Sequence, residues 1–290
     1  MSPRPWWRKL GHAGLLAIAT IYCVFPIYFM LVQSLKTAQE DVFGNPLIVL
    51  NPTFENFEEL FAQSGESHGY VGRALRRSYP VLDWLENTII VFAGSVVVTL
   101  VVSLSAGYAL GRLRPPGFRW WRRLIFASYV IPHTILFVPL YQVIITLNLE
   151  NNLLALLVVY PTLAVPFCVW ILSAYFQNLP RSVEESALVE GASRVTAFFR
   201  ILLPMSKPVV VAAGIFALGT IASDFTLASV FLLDAHNKTI PAGLATMEVA
   251  LDELLAVAGI NLMAVPVVLI CAVFARGYVR GLTAAMVEGS

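Results

Sequence analysis

Long apolar runs separated by short polar segments set the pattern of this chain. Six of them approach the length of a membrane span, at residues 12–33, 88–110, 124–147, 153–176, 208–233 and 254–275. A helix needs roughly 20 mostly apolar residues to cross about 30 Å of hydrocarbon. The runs lack the strict two-residue alternation of barrel strands, so the pattern predicts helices. The expected fold is an all-α polytopic membrane protein with six transmembrane helices. Pro132 and Pro139 interrupt the third run, and Pro161 and Pro166 the fourth. Asp224 lies in the fifth, Asn261 and Pro266 in the sixth.

The polar segments complete the layout. Residues 1–11 form an N-terminus, 34–87 a long segment on one side, 177–207 a long loop on the other, and 277–290 a tail. Within 34–87, NPTFENFEELF reads as a short amphipathic helix capped near Thr53. Basic residues choose the sides. Arg4, Arg8, Lys9, Arg112, Arg114, Arg119, Arg122, Arg123, Arg181, Arg194, Arg200, Lys207, Arg276 and Arg280 collect on one face. Lys36, Arg73, Arg76, Arg77 and Lys238 collect on the other. The richer face is cytoplasmic by the positive-inside rule, which puts both termini inside and residues 34–87 outside. Trp6, Trp7, Trp120 and Trp121 sit beside the Arg clusters and mark the inner headgroup layer. The first run is too long for a signal-peptide core and no small-residue cleavage pattern follows it, so it reads as an uncleaved span.

Composition narrows the chemistry. The chain has 290 residues, 58% hydrophobic and 13% charged. A soluble domain runs about 45–50% apolar and about 25% charged, so there are too few charges here to clothe a water-facing surface. The formal net charge of +1 argues against a nucleic-acid partner. Cys23, Cys168 and Cys271 all lie in apolar runs and suit neither a disulfide framework nor a metal site. No phosphate-cradling G-x-x-x-x-G-K-[ST] run exists, and His12, His68, His133 and His236 are scattered. The expectation is a chain with no catalytic residues, no metal and no cofactor of its own.

The 177–207 loop carries the most information. Pro180 should stop the fourth span, with Ser182 capping a new helix whose first turn holds Glu184 and Glu185. Gly191 should break that helix in a tight turn. A second amphipathic piece with Val195, Phe198, Phe199, Ile201 and Leu202 follows, and Pro204 should end it. Two short helices meeting at a glycine elbow suit insertion into a cleft of a partner protein.

The spacing Glu185-Ser186-Ala187, three residues, Gly191, nine residues, Ile201, one residue, Leu203-Pro204 resembles the EAA-loop signature E-A-A-x3-G-x9-I-x-L-P of binding-protein-dependent ABC importers. Ser186 stands where the signature has an Ala, and Glu190 where Asp is common. NPTFENF, ENTIIVFAGSVVVTLVVSLSAGYALGRL and RGLTAAMVEG are similar to segments of MalG-type carbohydrate permeases. The resemblance implies a type I ABC importer permease fold, with a permease domain over 84–276. It implies a second permease subunit completing a heterodimeric pore, and two copies of a nucleotide-binding ATPase subunit that bind ATP and Mg. An extracytoplasmic solute-binding protein would dock outside, and the whole would lie in the bacterial inner membrane. Glu185, Ser186, Ala187, Gly191, Ile201, Leu203 and Pro204 would couple this chain to the ATPase.

Candidates along a solute path are Asp224, Ser223, Tyr141, Gln142 and Trp170, with Pro132-His133-Thr134 as a further pore-lining segment. A carboxylate inside a span costs at least a few kcal/mol, so Asp224 should face protein or water. It is an acceptor for solute hydroxyls, a pore-gate residue, or a bond holding the helices together. The leading solute is a sugar or sugar-like molecule. Alternatives are a non-sugar solute such as a phosphate ester or modified glycoside, a proton-coupled secondary transporter using Asp224, and an intramembrane enzyme.

Overall fold

The computed structural model describes residues 6–61, 79–247 and 249–287. Arg4, His68, Arg73, Arg76, Arg77 and the last residues of the tail lie outside the described residues. Regular structure among the described residues is helical throughout. The elements are α1 (Trp6–Ser34), α2 (Ala38–Phe43), α3 (Glu55–Phe61), α4 (Val81–Tyr108) and α5 (Phe118–Tyr129). They continue with α6 (His133–Thr146), α7 (Leu153–Asn178), α8 (Arg181–Val189), α9 (Arg194–Ala197) and α10 (Leu203–Met205). The last are α11 (Lys207–Ala222), α12 (Thr226–Phe231), α13 (Ile240–Leu244) and α14 (Val249–Val287). Two π-helical turns, Ala109–Leu113 after α4 and Phe198–Leu202 between α9 and α10, interrupt the α-helical pattern.

Four described stretches are long and apolar enough to cross a membrane: Gly11–Ser34, Val81–Leu113, Leu153–Asn178 and Glu253–Ala275. A fifth passes the same test only as a bent pair, Arg194–Met205 with Lys207–Ala222, the two parts turned by 78°. The other expected spans differ in form. The third run is two shorter helices, α5 and α6, parted at Val130–Pro132. Proline disfavours helical geometry in the residue before it, and Ile131 precedes Pro132. Pro139, Pro161 and Pro166 by contrast lie inside unbroken helices. The fifth run also breaks, between α11 and α12 at Ser223–Phe225, so Asp224 lies at a helix break and not within a continuous span.

The chain divides into two compact units. One comprises the residues up to Val81 together with Thr246–Ala264. Here the NPTFENF element finds its physical role. Thr53 Oγ1 accepts the Glu55 N–H at 3.2 Å, capping α3 near the expected place. Asn56, nearly buried in α3, donates its amide to the carbonyls of Ser34 (2.9 Å) and Lys36 (2.8 Å). Those carbonyls lie at the end of α1 and just beyond it, where no helical donor remains. Asn261 of α14 likewise donates to the Met30 carbonyl at 2.9 Å. Asn56→Leu keeps the branched shape and removes both donors. It should lower stability by about 2 kcal/mol, read as a fall in melting temperature of the purified protein. An unchanged melt would mean that water replaces Asn56.

The second unit comprises Leu82–Ala245 and the residues from Val265 onward. Its core joins Ala164, Cys168, Ile171, Leu172 and Phe176 of α7 to Val209, Ala213 and Ala217 of α11, with Val96, Leu100 and Leu104 of α4 against them. The end of α4 lies unusually close to α7. A Cβ placed on Gly111 would stand 2.5 Å from the Ser173 carbonyl oxygen and 2.9 Å from Phe176 Cβ. Gly107, one turn earlier, meets Leu172 in the same way. Small residues four apart let two membrane helices approach backbone to backbone.

Candidate functional site

The loop between α7 and α11 folds as two short arms. α8 starts two residues earlier than a cap at Ser182 would set. Its N-cap is Pro180, with no side-chain cap, and Ser182 lies inside the first turn. Proline fixes a φ compatible with helix entry and has no N–H to leave orphaned. The far end of α8 closes as a Schellman turn. The Gly191 N–H donates to the Leu188 carbonyl (3.1 Å) and the Ala192 N–H to the Ala187 carbonyl (3.0 Å). Gly191 takes φ +89°, the left-handed conformation this turn requires. Ser193 then caps the second arm, its Oγ accepting the Thr196 N–H at 3.1 Å.

The second arm runs through α9, the π turn and α10, and passes Pro204 before it stops at Met205. Pro204 therefore does not end it. A proline lacks the N–H for its own helical bond, and the π turn lies directly before it, with Leu203 N–H reaching back to the Phe198 carbonyl. The stop comes at Ser206, where the backbone bends by 78° into α11. Ser206 is buried, and its Oγ donates to the Leu202 carbonyl at 2.7 Å.

The signature residues divide by face. Glu185 and Ser186 are exposed, Ala187 is buried, and Gly191 is exposed with open space around it. Ile201 and Leu203 are half-buried and Pro204 is exposed. Together with Ser182, Val189 and Glu190, Glu185 and Ser186 line one open surface of α8. Val189 is 88% exposed.

Glu184 does the opposite of its neighbour. Successive helix residues point about 100° apart, and Glu184 turns inward to 6% exposure. Its Oε1 accepts from the Tyr108 hydroxyl at 2.9 Å, and its Oε2 from Arg112 Nε at 2.5 Å. The same guanidinium donates through Nη1 to the Leu179 carbonyl (2.7 Å) and through Nη2 to the Pro180 carbonyl (3.0 Å). Tyr108 also packs against Phe198 (4.8 Å between centroids) and Phe176 (6.0 Å). Sequence reading placed Arg112 only among the topology-setting cations and did not single out Tyr108. The Gly107-x3-Gly111 spacing was the signal available. It brings this helix end against a neighbour and so carries Arg112 to that neighbour's last carbonyls.

The candidates for a solute path separate. Asp224 Oδ2 accepts from the Tyr160 hydroxyl (3.0 Å) and the Leu227 N–H (3.2 Å). A carboxylate that offers backbone N–H groups an alternative partner favours such a break. Ser223 is exposed, and its Oγ donates to the Thr220 carbonyl at 2.9 Å. Tyr141 of α6 stacks on Phe231 of α12 (5.9 Å), and Gln142 beside it is exposed. Trp170 packs against Phe126 (5.2 Å) and Phe167 (5.8 Å). It lies about 15 Å along α7 from Tyr160, so it does not join the Asp224 group. Tyr160 was not anticipated; nothing in its local sequence marks a partner 64 positions away.

Comparison with known proteins accords with this geometry. The family described as "Binding-protein-dependent transport system inner membrane component" matches residues 100–283. The inner membrane ABC transporter permease protein YcjP of Escherichia coli (strain K12) is 30% identical over 97% of this chain and 98% of its own. The trehalose/maltose transport system permease protein MalG of Thermococcus litoralis is 28% identical over 97% of each. A chain of a bacterial ABC transporter for import of the acidic polysaccharide alginate superposes with a TM-score of 0.76, covering 95% of this chain and 99% of that one at 18% identity. The all-helical fold, its apolar spans and this match over most of the length have one reading: the chain belongs to the family of inner membrane components of binding-protein-dependent transport systems.

Proposed function

We propose that this chain is a permease subunit of an ATP-driven importer, forms half of a pore for a sugar or sugar-like solute, and is coupled to its ATPase through α8–α10. The observation that carries the reading is the open face of α8, where Ser182, Glu185, Ser186 and Val189 lie together. An exposed valine flanked by polar residues, on a short helix held out by a rigid glycine turn, fits a cleft in another protein. The partner in this reading is a pair of nucleotide-binding subunits that hold ATP and Mg. A second permease completes the pore, and a solute-binding protein docks on the outer side.

Six crossings follow if α5–α6 and α11–α12 each count as one, with both termini in the cytoplasm of a bacterial cell. The names of the Thermococcus relative and of the alginate transporter both point to glycans, which supports a polyhydroxylated solute. In this reading Ser223, exposed at the Asp224 break, and Gln142, exposed on α6, face the path. Asp224 is tied to Tyr160 and the α12 backbone, which favours a tether over a proton relay.

Val189→Asp tests the docking face. A charge in a desolvated anchor position should cost about 2 kcal/mol, roughly 30-fold in affinity. Retention of the nucleotide-binding subunits during purification should be lost, and ATP-dependent uptake in proteoliposomes with it. Normal retention and uptake would sink the proposed coupling face.

A further inference from the structure

Two adjacent glutamates of α8 have opposite surroundings, and the inward one has no assigned role. Glu184 has both carboxylate oxygens engaged, one by Tyr108 and one by Arg112. The side chains of Arg112 and Glu184 retain 5% and 8% exposure. All three nitrogens of the guanidinium are used, on Glu184 and on the two carbonyls that follow α7. One planar fork thus joins the end of α4, the end of α7 and the first turn of α8. The tilted ring contact of Tyr108 with Phe198 adds the second arm, at its π turn.

From this geometry we infer that Arg112 and Glu184 are positioning residues, forming the joint through which movement of α8 is passed to the spans α4 and α7. The inference rests on the coupling role proposed above and adds which contacts inside this chain transmit it. A loop held only by its two ends could tilt without moving the helices behind it. Here α8 cannot tilt without breaking a buried ion pair, which leaves an uncompensated charge, or dragging the end of α4 with it. Glu185 meets the partner surface, and Glu184 holds the lever to its frame. Lysine would not substitute for the arginine, because a single ammonium on a flexible stem cannot hold three separate acceptors in one plane.

The test uses the complete transporter reconstituted in proteoliposomes, with Arg112→Lys and Glu184→Gln, the mildest changes that break the fork. The readout is solute imported per ATP hydrolysed. It should fall about tenfold or more in each variant, the size of a typical coupling between sites, while the nucleotide-binding subunits stay bound. A ratio within twofold of the parent would overturn the joint. So would loss of subunit binding in parallel with transport, because the pair would then shape only the docking face. The reading beneath it fails differently: Val189→Asp would then keep its ATPase subunits, whatever the Arg112 and Glu184 variants do.

Discussion

Gly111→Leu should abolish accumulation of folded protein. Even the first atom of the new side chain would stand 2.5 Å from the Ser173 carbonyl oxygen and 3.2 Å from Ser173 Cα. Both are backbone atoms of a helix packed in the core, so neither can swing aside. Overpacking a tight core costs about 1–3 kcal/mol when side chains can repack. Here α4 and α7 would have to separate, which withdraws Arg112 from the Leu179 and Pro180 carbonyls and from Glu184. Losing one partner of a buried pair adds about 3–5 kcal/mol. The sum is comparable to the whole stability of a typical domain, about 5–15 kcal/mol. Size-exclusion chromatography of a fluorescent fusion should show at least a tenfold loss of the monodisperse peak. Gly219→Ala is the control, because a Cβ there meets nothing within 4 Å. A normal peak for Gly111→Leu would mean that the close approach of α4 and α7 is wrong.

Gly191→Val should leave the protein folded and inserted while ATP-driven uptake drops tenfold or more. The contrast with Gly111 is instructive. Nothing lies within 4 Å of a Cβ built on Gly191, so no crowding is involved. The penalty comes from φ +89° alone. An L-residue held in left-handed geometry pays roughly 1–2 kcal/mol, and a β-branched one is a genuine outlier there. The least costly relief is to reopen the turn, releasing the Leu188 and Ala187 carbonyls and re-aiming α8 against its partner. Gly191→Asn, which tolerates the left-handed region, should keep most of the uptake. Equal uptake in the valine and asparagine variants would show that the elbow does not set the docking angle.

These two glycines also mark how much was readable along the chain. Gly191 could be recognised locally, because a helix end, a turn and a new cap follow one another within a few residues. Gly111 could not be weighed without knowing that Ser173 lies against it. The same division separates Glu185 from Glu184. Both fall in the first half of α8 and both suit a helix N-terminus, so composition and dipole arguments treat them alike. Their partners tell them apart, and Glu184's partners lie 72 and 76 positions away. Asp224 was legible as costly in a span. Its break, and the bond to Tyr160 that accompanies it, were not.

The amino-acid sequence alone determined that this chain is built from apolar helices in a bilayer and that its 177–207 loop is a pair of arms on a glycine hinge. Run length, the absence of charge and left-handed turn chemistry are properties of neighbouring residues, and they act the same way in any fold. Tertiary structure alone decided that Arg112 clasps the end of α7, that one of two adjacent glutamates is buried on it, and that the fifth run is broken at Asp224. Those outcomes depend on which distant carbonyl or carboxylate a side chain meets, and helical period carries no record of such a meeting.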